Sequence, residues 1–164
     1  MSAQNHPKKD FMLRAIEEAR NSASIGQYAI GAVIVSADNK IISIAHTSTY
    51  ESKDVTAHAE INVIREACSK LDNRYLTGCW LYSTLEPCPM CTSAAIWAKM
   101  AGIVWGASKE DAQETYKTSK NKKITWRQID ISSKEIIDKG EPKVELVENF
   151  RHNTQISWHE TRLL

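Results

Sequence analysis

The sequence lacks several features that would indicate other classes of protein. It has no apolar run long enough to span a membrane, and its first twenty residues lack the apolar stretch of a signal peptide. Four cysteines in 164 residues are too few for a disulfide scaffold, and a net charge of +1 gives no overall attraction to nucleic acid. We therefore expect one globular domain over residues 1–164, with reduced thiols and a cytoplasmic location.

Apolar residues recur with two different periods along the chain. Helical spacing over residues 11–24 and 56–70 predicts two helices, and β-branched runs at 30–36 and 40–46 predict a hairpin. The downstream predictions are a strand at 79–85, a helix that begins at Pro87, a strand at 102–108 and a helix at 109–117, with a loop at 47–55 before the second helix. This order predicts a three-layer α/β/α domain with a mixed central sheet.

Three side chains in two short segments have the chemistry of a metal site. "TAHAE" at 56–60 contains His58, and "EPCPMC" at 86–91 contains Cys88 and Cys91. Two thiolates three residues apart at the start of a helix can reach one ion, and the positive helix end favours their deprotonated form. One imidazole nitrogen and two sulfurs suit Zn²⁺. The fourth position would be open to water, and Glu60 lies where a carboxylate could move that water's proton.

Two other interpretations of these residues remain open. The C-x-x-C pair, with Pro89 inside it, is also typical of dithiol oxidoreductases, although that leaves Glu60 unexplained. The pair could instead belong to a structural zinc site with a fourth protein ligand. The candidates for that ligand are Cys68, Cys79, His46, His152 and His159. We expect Cys68 and Cys79 to be core residues, because free cysteine packs as a small hydrophobe.

The two segments together resemble a known signature. H-x-E followed by P-C-x-x-C is similar to the zinc-dependent cytidine/deoxycytidylate deaminase superfamily. "GAVIV", "IVWGAS" and the residues around both motifs resemble its guanine deaminase and tRNA adenosine deaminase branch. The resemblance implies a cytidine deaminase-like fold, His58, Cys88 and Cys91 as zinc ligands, and Glu60 as the proton shuttle. It also implies hydrolytic deamination, in which zinc-activated water attacks the ring carbon that bears the amino group and ammonia leaves.

The same resemblance implies contacts to the substrate. It assigns the Ala59 N–H to the ring and the Glu86 carbonyl to the leaving group. Thr47 stands where the relatives have asparagine, and a hydroxyl cannot reproduce an amide's paired hydrogen bonds. Ile30 stands where guanine deaminases have an aromatic residue, and "YKTSK" replaces a pair of aspartates.

Two further positions favour a guanine-like base. Trp97 matches a tryptophan of guanine deaminases, although a tryptophan beside two alanines on a helix is more often a core residue. Glu148 matches a glutamate that those enzymes use against the substrate, and a carboxylate suits the adjacent N–H donors of an amino-amide edge. The alternative is a solvated glutamate at a helix start.

The remaining predictions concern partners. Residues 145–164 resemble a C-terminal segment that covers the active site of its own or of a partner subunit, so we expect a homodimer. The favoured substrate is a free guanine-like base. The alternatives are tRNA adenosine, a cytosine-type or other amino-heterocycle, and a non-enzymatic structural zinc module. The RNA alternative depends on a cationic stretch with one aromatic residue: Lys117, Lys120, Lys122, Lys123, Trp126 and Arg127.

Overall fold

The computed structural model describes residues 6–118 and 128–150. Its sheet contains the strands β1 (Gly31–Val35), β2 (Ile41–His46), β3 (Trp80–Leu85), β4 (Gly102–Ala107) and β5 (Glu145–Val147). The spatial order is β2-β1-β3-β4-β5. Strand β1 is antiparallel to β2 and β3, whereas β4 is parallel to β3 and β5. The predicted hairpin and mixed sheet are therefore confirmed.

Helices cover both faces of this sheet. They are α1 (Lys9–Ser24), α2 (Thr49–Ser52), α3 (Ala59–Lys70), α4 (Pro89–Trp97), α5 (Lys109–Thr118) and α6 (Ser133–Lys139). Val33 and Val35 of β1 pack with α1 in one apolar core, and the alternate residues Ala32 and Ile34 pack with α3, α4 and α6 in another. The three-layer α/β/α architecture is confirmed.

Helix α1 packs very closely on β1 at one position. A Cβ atom added at Gly31 would overlap the carbonyl oxygen of Ala15 and lie 2.6 Å from the backbone nitrogen of Ala19. Only glycine leaves room for this helix on this strand. The close packing fixes the height of α1 above the sheet.

The helices around the metal motifs differ from the sequence predictions. Helix α3 begins at Ala59 and not at residue 56, because the Asp54 carboxylate holds the Thr56 amide (2.8 Å) and hydroxyl (2.7 Å) in a turn. Helix α4 begins at Pro89, so the prediction that Pro87 is its first residue is wrong. Residues 49–52 of the predicted loop form the short helix α2.

The parallel strands β3, β4 and β5 end at the same edge of the sheet, and the turn into α4 leaves from that edge. Within the described ranges, no helix is long and apolar enough to cross a membrane. Of the C-terminal segment 145–164 that we predict to cover an active site, residues 151–164 lie outside the described part, so this prediction stays a prediction. Five residues of the predicted cationic stretch also lie outside the described residues: Lys120, Lys122, Lys123, Trp126 and Arg127.

Candidate metal centre and active site

Three donor atoms converge between the starts of α3 and α4. The two sulfurs of Cys88 and Cys91 are 3.6 Å apart, and His58 Nδ1 is 3.7 Å from the first and 3.5 Å from the second. In residues 6–118 and 128–150, this is the one cluster of three or more potential ligands close enough to hold a single ion. The structure therefore unites the three residues that the sequence selected.

The spacing of these atoms matches zinc. Tetrahedral Zn²⁺, with Zn–S bonds of about 2.3 Å and Zn–N bonds of about 2.05 Å, places two sulfurs about 3.8 Å apart and a nitrogen about 3.5 Å from a sulfur. The donor set, one nitrogen and two sulfurs, is also one that zinc prefers. The residues therefore fit a zinc ion without rearrangement.

No fourth protein ligand joins the group within the described ranges. His46 Nδ1 lies 2.5 Å from Glu18 Oε1, and Cys79 is buried in the core among α3, α4 and α6. Cys68 packs partly buried against the same core, so the prediction of core cysteines is confirmed. His152 and His159 lie outside the described residues.

Local structure at two helix starts places the ligands. His58 is the residue immediately before α3, and Cys88 is the residue immediately before α4, so neither lies in a helical turn as the sequence predicted. Pro89 takes the first helical position, where its missing N–H costs no hydrogen bond. The Thr92 hydroxyl donates to the Pro87 carbonyl oxygen (3.1 Å) and holds the approach to Cys88.

The two thiols divide their protons unequally. A hydrogen bond from Cys91 lowers the pKa of Cys88 to about 4, and His58 acts in the same direction. The hydrogen bond to Cys88 and burial raise the pKa of Cys91. A bound cation would replace the thiol protons of the pair, because a coordinating thiol is deprotonated.

Glu60 lies beside the donor atoms and is 3% exposed. Its Oε1 accepts a hydrogen bond from the Ser83 hydroxyl of β3 (3.0 Å), and its Oε2 is 3.6 Å from Cys91 Sγ. Burial, and next the charge of Cys88, raises the pKa of the Glu60 carboxyl. A buried carboxyl with a raised pKa next to a metal site is suited to accept and return protons.

Three of the predicted substrate contacts lie together next to His58. The Thr47 amide donates to the Ile30 carbonyl oxygen (3.1 Å), and the Thr47 hydroxyl accepts from the Ala59 amide (3.3 Å). Thr47 is 2% exposed. The N–H that the resemblance assigns to the substrate therefore already has a partner within the chain.

Two contributors escaped the sequence predictions. Ser83 supplies the hydrogen bond to Glu60, and its only sequence signal is a hydroxyl inside the apolar run "WLYSTL". The Glu86 side chain accepts from the amides of Ser133 (2.9 Å) and Lys109 (3.3 Å), whereas the sequence assigned a role only to its backbone carbonyl.

Comparison with known proteins identifies the family. A family model described as the cytidine and deoxycytidylate deaminase zinc-binding region matches residues 5–107, which include the three metal donors and Glu60. The chain belongs to this deaminase family. His58, Cys88 and Cys91 are its zinc site.

The chain is similar to deaminases of two kinds. It is 44% identical over 100 residues to a tRNA-specific adenosine deaminase of Aquifex aeolicus, a match that covers 61% of this chain. It is 40% identical over 111 residues to a guanine deaminase of Bacillus subtilis, covering 67% of this chain and 69% of that protein. The chain spans 66% of the length of the Aquifex protein, just under two thirds.

A solved structure has a similar fold over its whole length. It comes from work on A-to-I editing by tRNA:A34 deaminases at the wobble position of transfer RNA. That structure is 30% identical to this chain with a TM-score of 0.73, and the match covers 96% of this chain and all of the other. The predicted deaminase-like fold is confirmed.

The two remaining predicted substrate residues of this deaminase domain, Trp97 and Glu148, are both exposed. Trp97 ends α4, six residues after Cys91, so it lies about 9 Å further along the helix axis. It is 76% exposed, and the alternative that it is a core residue is wrong. Glu148 is exposed just after β5, at the sheet edge where β3 and β4 also end. It follows a strand and does not start a helix.

Proposed function

We propose that this chain catalyses the hydrolytic removal of an amino group from a purine ring. The observation that carries the proposal is the position of Glu60, a buried carboxyl whose Oε2 is 3.6 Å from Cys91 Sγ and whose Oε1 is held by Ser83. A zinc site with three ligands among the described residues, next to an acid–base group that is not a ligand, fits catalysis better than a structural role, since structural zinc is usually held by four protein ligands.

Each residue of the site has a part in this chemistry. His58, Cys88 and Cys91 would hold zinc, which would act as a Lewis acid: it would activate the attacking water and polarise the substituents of the ring carbon. Glu60 takes one proton from the attacking water and delivers it to the neighbouring ring nitrogen. Glu60 then moves the hydroxyl proton to the amino group, so that ammonia leaves and a carbonyl remains. The Ser83 hydrogen bond fixes the direction of the carboxylate during both transfers.

The purine class is supported by the two kinds of relative, which are named for adenosine in tRNA and for guanine. A free guanine-like base is our first candidate. Glu148 follows β5 at the sheet edge from which the zinc-binding turn leaves, and a carboxylate there can accept from two adjacent N–H groups. The Thr47 hydroxyl oxygen accepts from the Ala59 amide, and the hydroxyl proton can be donated to an acceptor on the base.

Adenosine in tRNA is the second candidate, favoured by the higher identity to the Aquifex enzyme. Lys117, at the end of α5, is exposed and belongs to the predicted cationic stretch. A tRNA substrate would add phosphate contacts, so its binding would weaken steeply as salt is added. A free neutral base would bind almost independently of salt.

The experiment is an ammonia-release assay on the zinc-loaded protein. The substrates are guanine, adenine, cytosine and a tRNA anticodon stem, each at low and high salt. We expect ammonia from a purine and none from cytosine. Release from cytosine alone would contradict the purine class, and release from the tRNA stem alone would replace the first candidate with the second.

A pair of variants tests Glu148 directly. Glu148→Gln should lower kcat/KM for guanine about 10- to 100-fold, the range for loss of a hydrogen bond to a charged group. Glu145→Gln, an exposed glutamate at the start of the same strand, is the matched control and should leave kcat/KM unchanged. Equal kcat/KM in the two variants would remove Glu148 from substrate recognition.

The predicted homodimer and the cytoplasmic location are also part of this proposal. Trp97 is 76% exposed and lies beside a groove of about 260 Å³ between α4 and α6, lined in part by Ile96 and Ile136. Ser93, Lys139 and Glu141 also line this groove, and an exposed tryptophan at a groove of mixed polarity fits a subunit contact. Light scattering should give the molar mass of a dimer for the wild type, and Trp97→Ala should dissociate to monomers at higher protein concentration than the wild type does. A monomeric wild type would contradict the expected homodimer.

A further inference from the structure

The Glu86 carboxylate joins three separate segments of the chain. Its Oε1 accepts from the Ser133 amide at 2.9 Å and from the Ser133 hydroxyl at 3.3 Å, at the start of α6. Its Oε2 accepts from the Lys109 amide at 3.3 Å, at the start of α5. The Glu86 amide itself donates to the Ala107 carbonyl oxygen at 2.8 Å, where β4 ends. Residue 86 is thus held through both its backbone and its side chain.

Each of the two helix starts also has a cap formed by its own residues. At α6, the Ser132 hydroxyl accepts from the Glu135 amide (3.1 Å), and the Glu135 carboxylate accepts from the Ser132 amide (2.7 Å), which completes a capping box. At α5, Ser108 and Asp111 form the same reciprocal pair, at 3.1 Å and 2.9 Å. These caps leave the Ser133 and Lys109 amides for the Glu86 carboxylate, so the same two hydrogen bonds complete the helix starts and anchor residue 86 to both of them.

Residue 86 stands immediately before the segment that carries a zinc ligand. Pro87 follows it, and Cys88 is the next residue. Beyond Cys88 the segment is held by Thr92, whose hydroxyl donates to the Pro87 carbonyl oxygen (3.1 Å) and whose amide donates to the Cys88 carbonyl oxygen (2.9 Å). Thr92 therefore fixes one side of the turn, and the Glu86 carboxylate fixes the other.

We propose that Glu86 is a positioning residue of this deaminase: its carboxylate, bound to the starts of α5 and α6, fixes the turn that places the Cys88 sulfur on the metal. The expected effect of Glu86 on turnover rests on the proposed function, whereas its expected effect on metal retention does not. A carboxylate is suited to the task, since two helix starts offer it partial positive charge as well as N–H donors. Ser133 is completely buried and Glu86 is half-buried, so the contact is partly shielded from water.

The test compares Glu86→Gln with Glu135→Gln. Both variants remove a carboxylate from the start of α6, but only Glu86 touches the segment before Cys88. We expect Glu86→Gln to release zinc to a chelator about tenfold faster and to lower kcat about tenfold at saturating zinc, the low end of the loss found when a group that orients a metal ligand is removed. The change in KM should be smaller, because Glu86 holds the metal-binding turn and not the substrate. Glu135→Gln should lower the unfolding midpoint in urea and leave zinc release and kcat unchanged.

The two readouts keep the proposals separate. Zinc release within twofold of wild type in a folded Glu86→Gln protein would overturn the positioning role whatever the substrate is. Equal acceleration in Glu135→Gln would also overturn it, because the effect would then belong to the helix start. If Glu86→Gln does not fold, Glu86→Asp replaces it: the carboxylate is one methylene too short to reach both helices, and wild-type zinc release there would contradict the inference. Absence of ammonia from every amino-purine with the wild type would refute only the proposed function.

Discussion

Replacing Glu60 with glutamine separates the chemistry of the site from its packing. The two side chains have the same shape, and the amide oxygen can still accept from Ser83 at 3.0 Å, so the change removes the charge and the basicity only. General acid–base catalysis contributes about 10²- to 10⁴-fold to the rate. Because the proposed mechanism gives Glu60 two proton transfers, we expect a loss near the upper end, about 10⁴-fold in kcat, or about 5 kcal/mol.

The same substitution should make the zinc-free protein more stable. Burial raises the pKa of Glu60 above its ordinary value of 4.5, so between that value and the folded-state pKa the folded protein binds a proton that the unfolded chain has released. The free energy of unfolding of the wild type therefore falls as pH rises through this window. Glutamine carries no such proton, so the advantage of Glu60→Gln should grow with pH and then level off.

Urea unfolding of the zinc-free proteins at several pH values, with kcat and zinc content of the loaded proteins, measures both effects. Glu66→Gln is the control on the same helix, since the Glu66 side chain is 41% exposed and pairs with Lys70. A zinc-loaded Glu60→Gln protein with wild-type kcat would remove Glu60 from the mechanism. A variant less stable than wild type at neutral pH would contradict the burial of a carboxyl that is costly to ionise.

Three further predictions address the surroundings of the site. Ser83→Ala should lower kcat about tenfold with zinc retained, because a hydrogen bond to a charged group is lost. Its control is Ser43→Ala, which removes a buried 2.9 Å hydrogen bond to the Val63 carbonyl oxygen and should lower stability alone. Equal kcat values in the two variants would contradict the role of Ser83. Gly31→Ala should lower the free energy of unfolding by about 3 kcal/mol, because the added methyl group overpacks against α1. Gly26→Ala, which has open space but a φ of 79°, should lower it by about 1 kcal/mol. Urea unfolding midpoints compare the two, and an unchanged midpoint for Gly31→Ala would refute the close approach of α1 to β1. Chelation should abolish turnover reversibly while circular dichroism shows a folded chain, because both cores form from apolar packing; unfolding on chelation would favour the structural zinc module.

The metal donors were predictable because each motif is short and the two motifs together resemble a known signature. The spacing within each motif indicated the donor types, and the resemblance implied that His58 meets Cys88 and Cys91 across 30 residues of chain. The strands were also predictable from local sequence, because they are β-branched runs of the expected length. The sequence did not reveal that His58 and Cys88 precede their helices, because the Asp54 turn and the position of Pro89 decide those boundaries.

The supporting contacts were not predictable because their partners are far apart in the chain. Ser83 and Glu60 are separated by 23 residues, and Glu86 and Ser133 by 47. Nothing in the local sequence of a glutamate before a proline indicates that its carboxylate meets the starts of two later helices. The exposure of Trp97 was equally hidden, since its neighbours on α4 are apolar and favour a buried position.

The central claim is that a zinc-loaded protein with Glu60 intact removes an amino group from a purine ring. The direct measurement is ammonia release by protein of known zinc content, with wild type and Glu60→Gln side by side on guanine and on a tRNA anticodon stem. We predict about one zinc per chain in both proteins, as expected for a three-ligand site, and ammonia with an equal amount of carbonyl product from the wild type only. Folded, fully zinc-loaded wild type that releases no ammonia from either substrate would contradict the account.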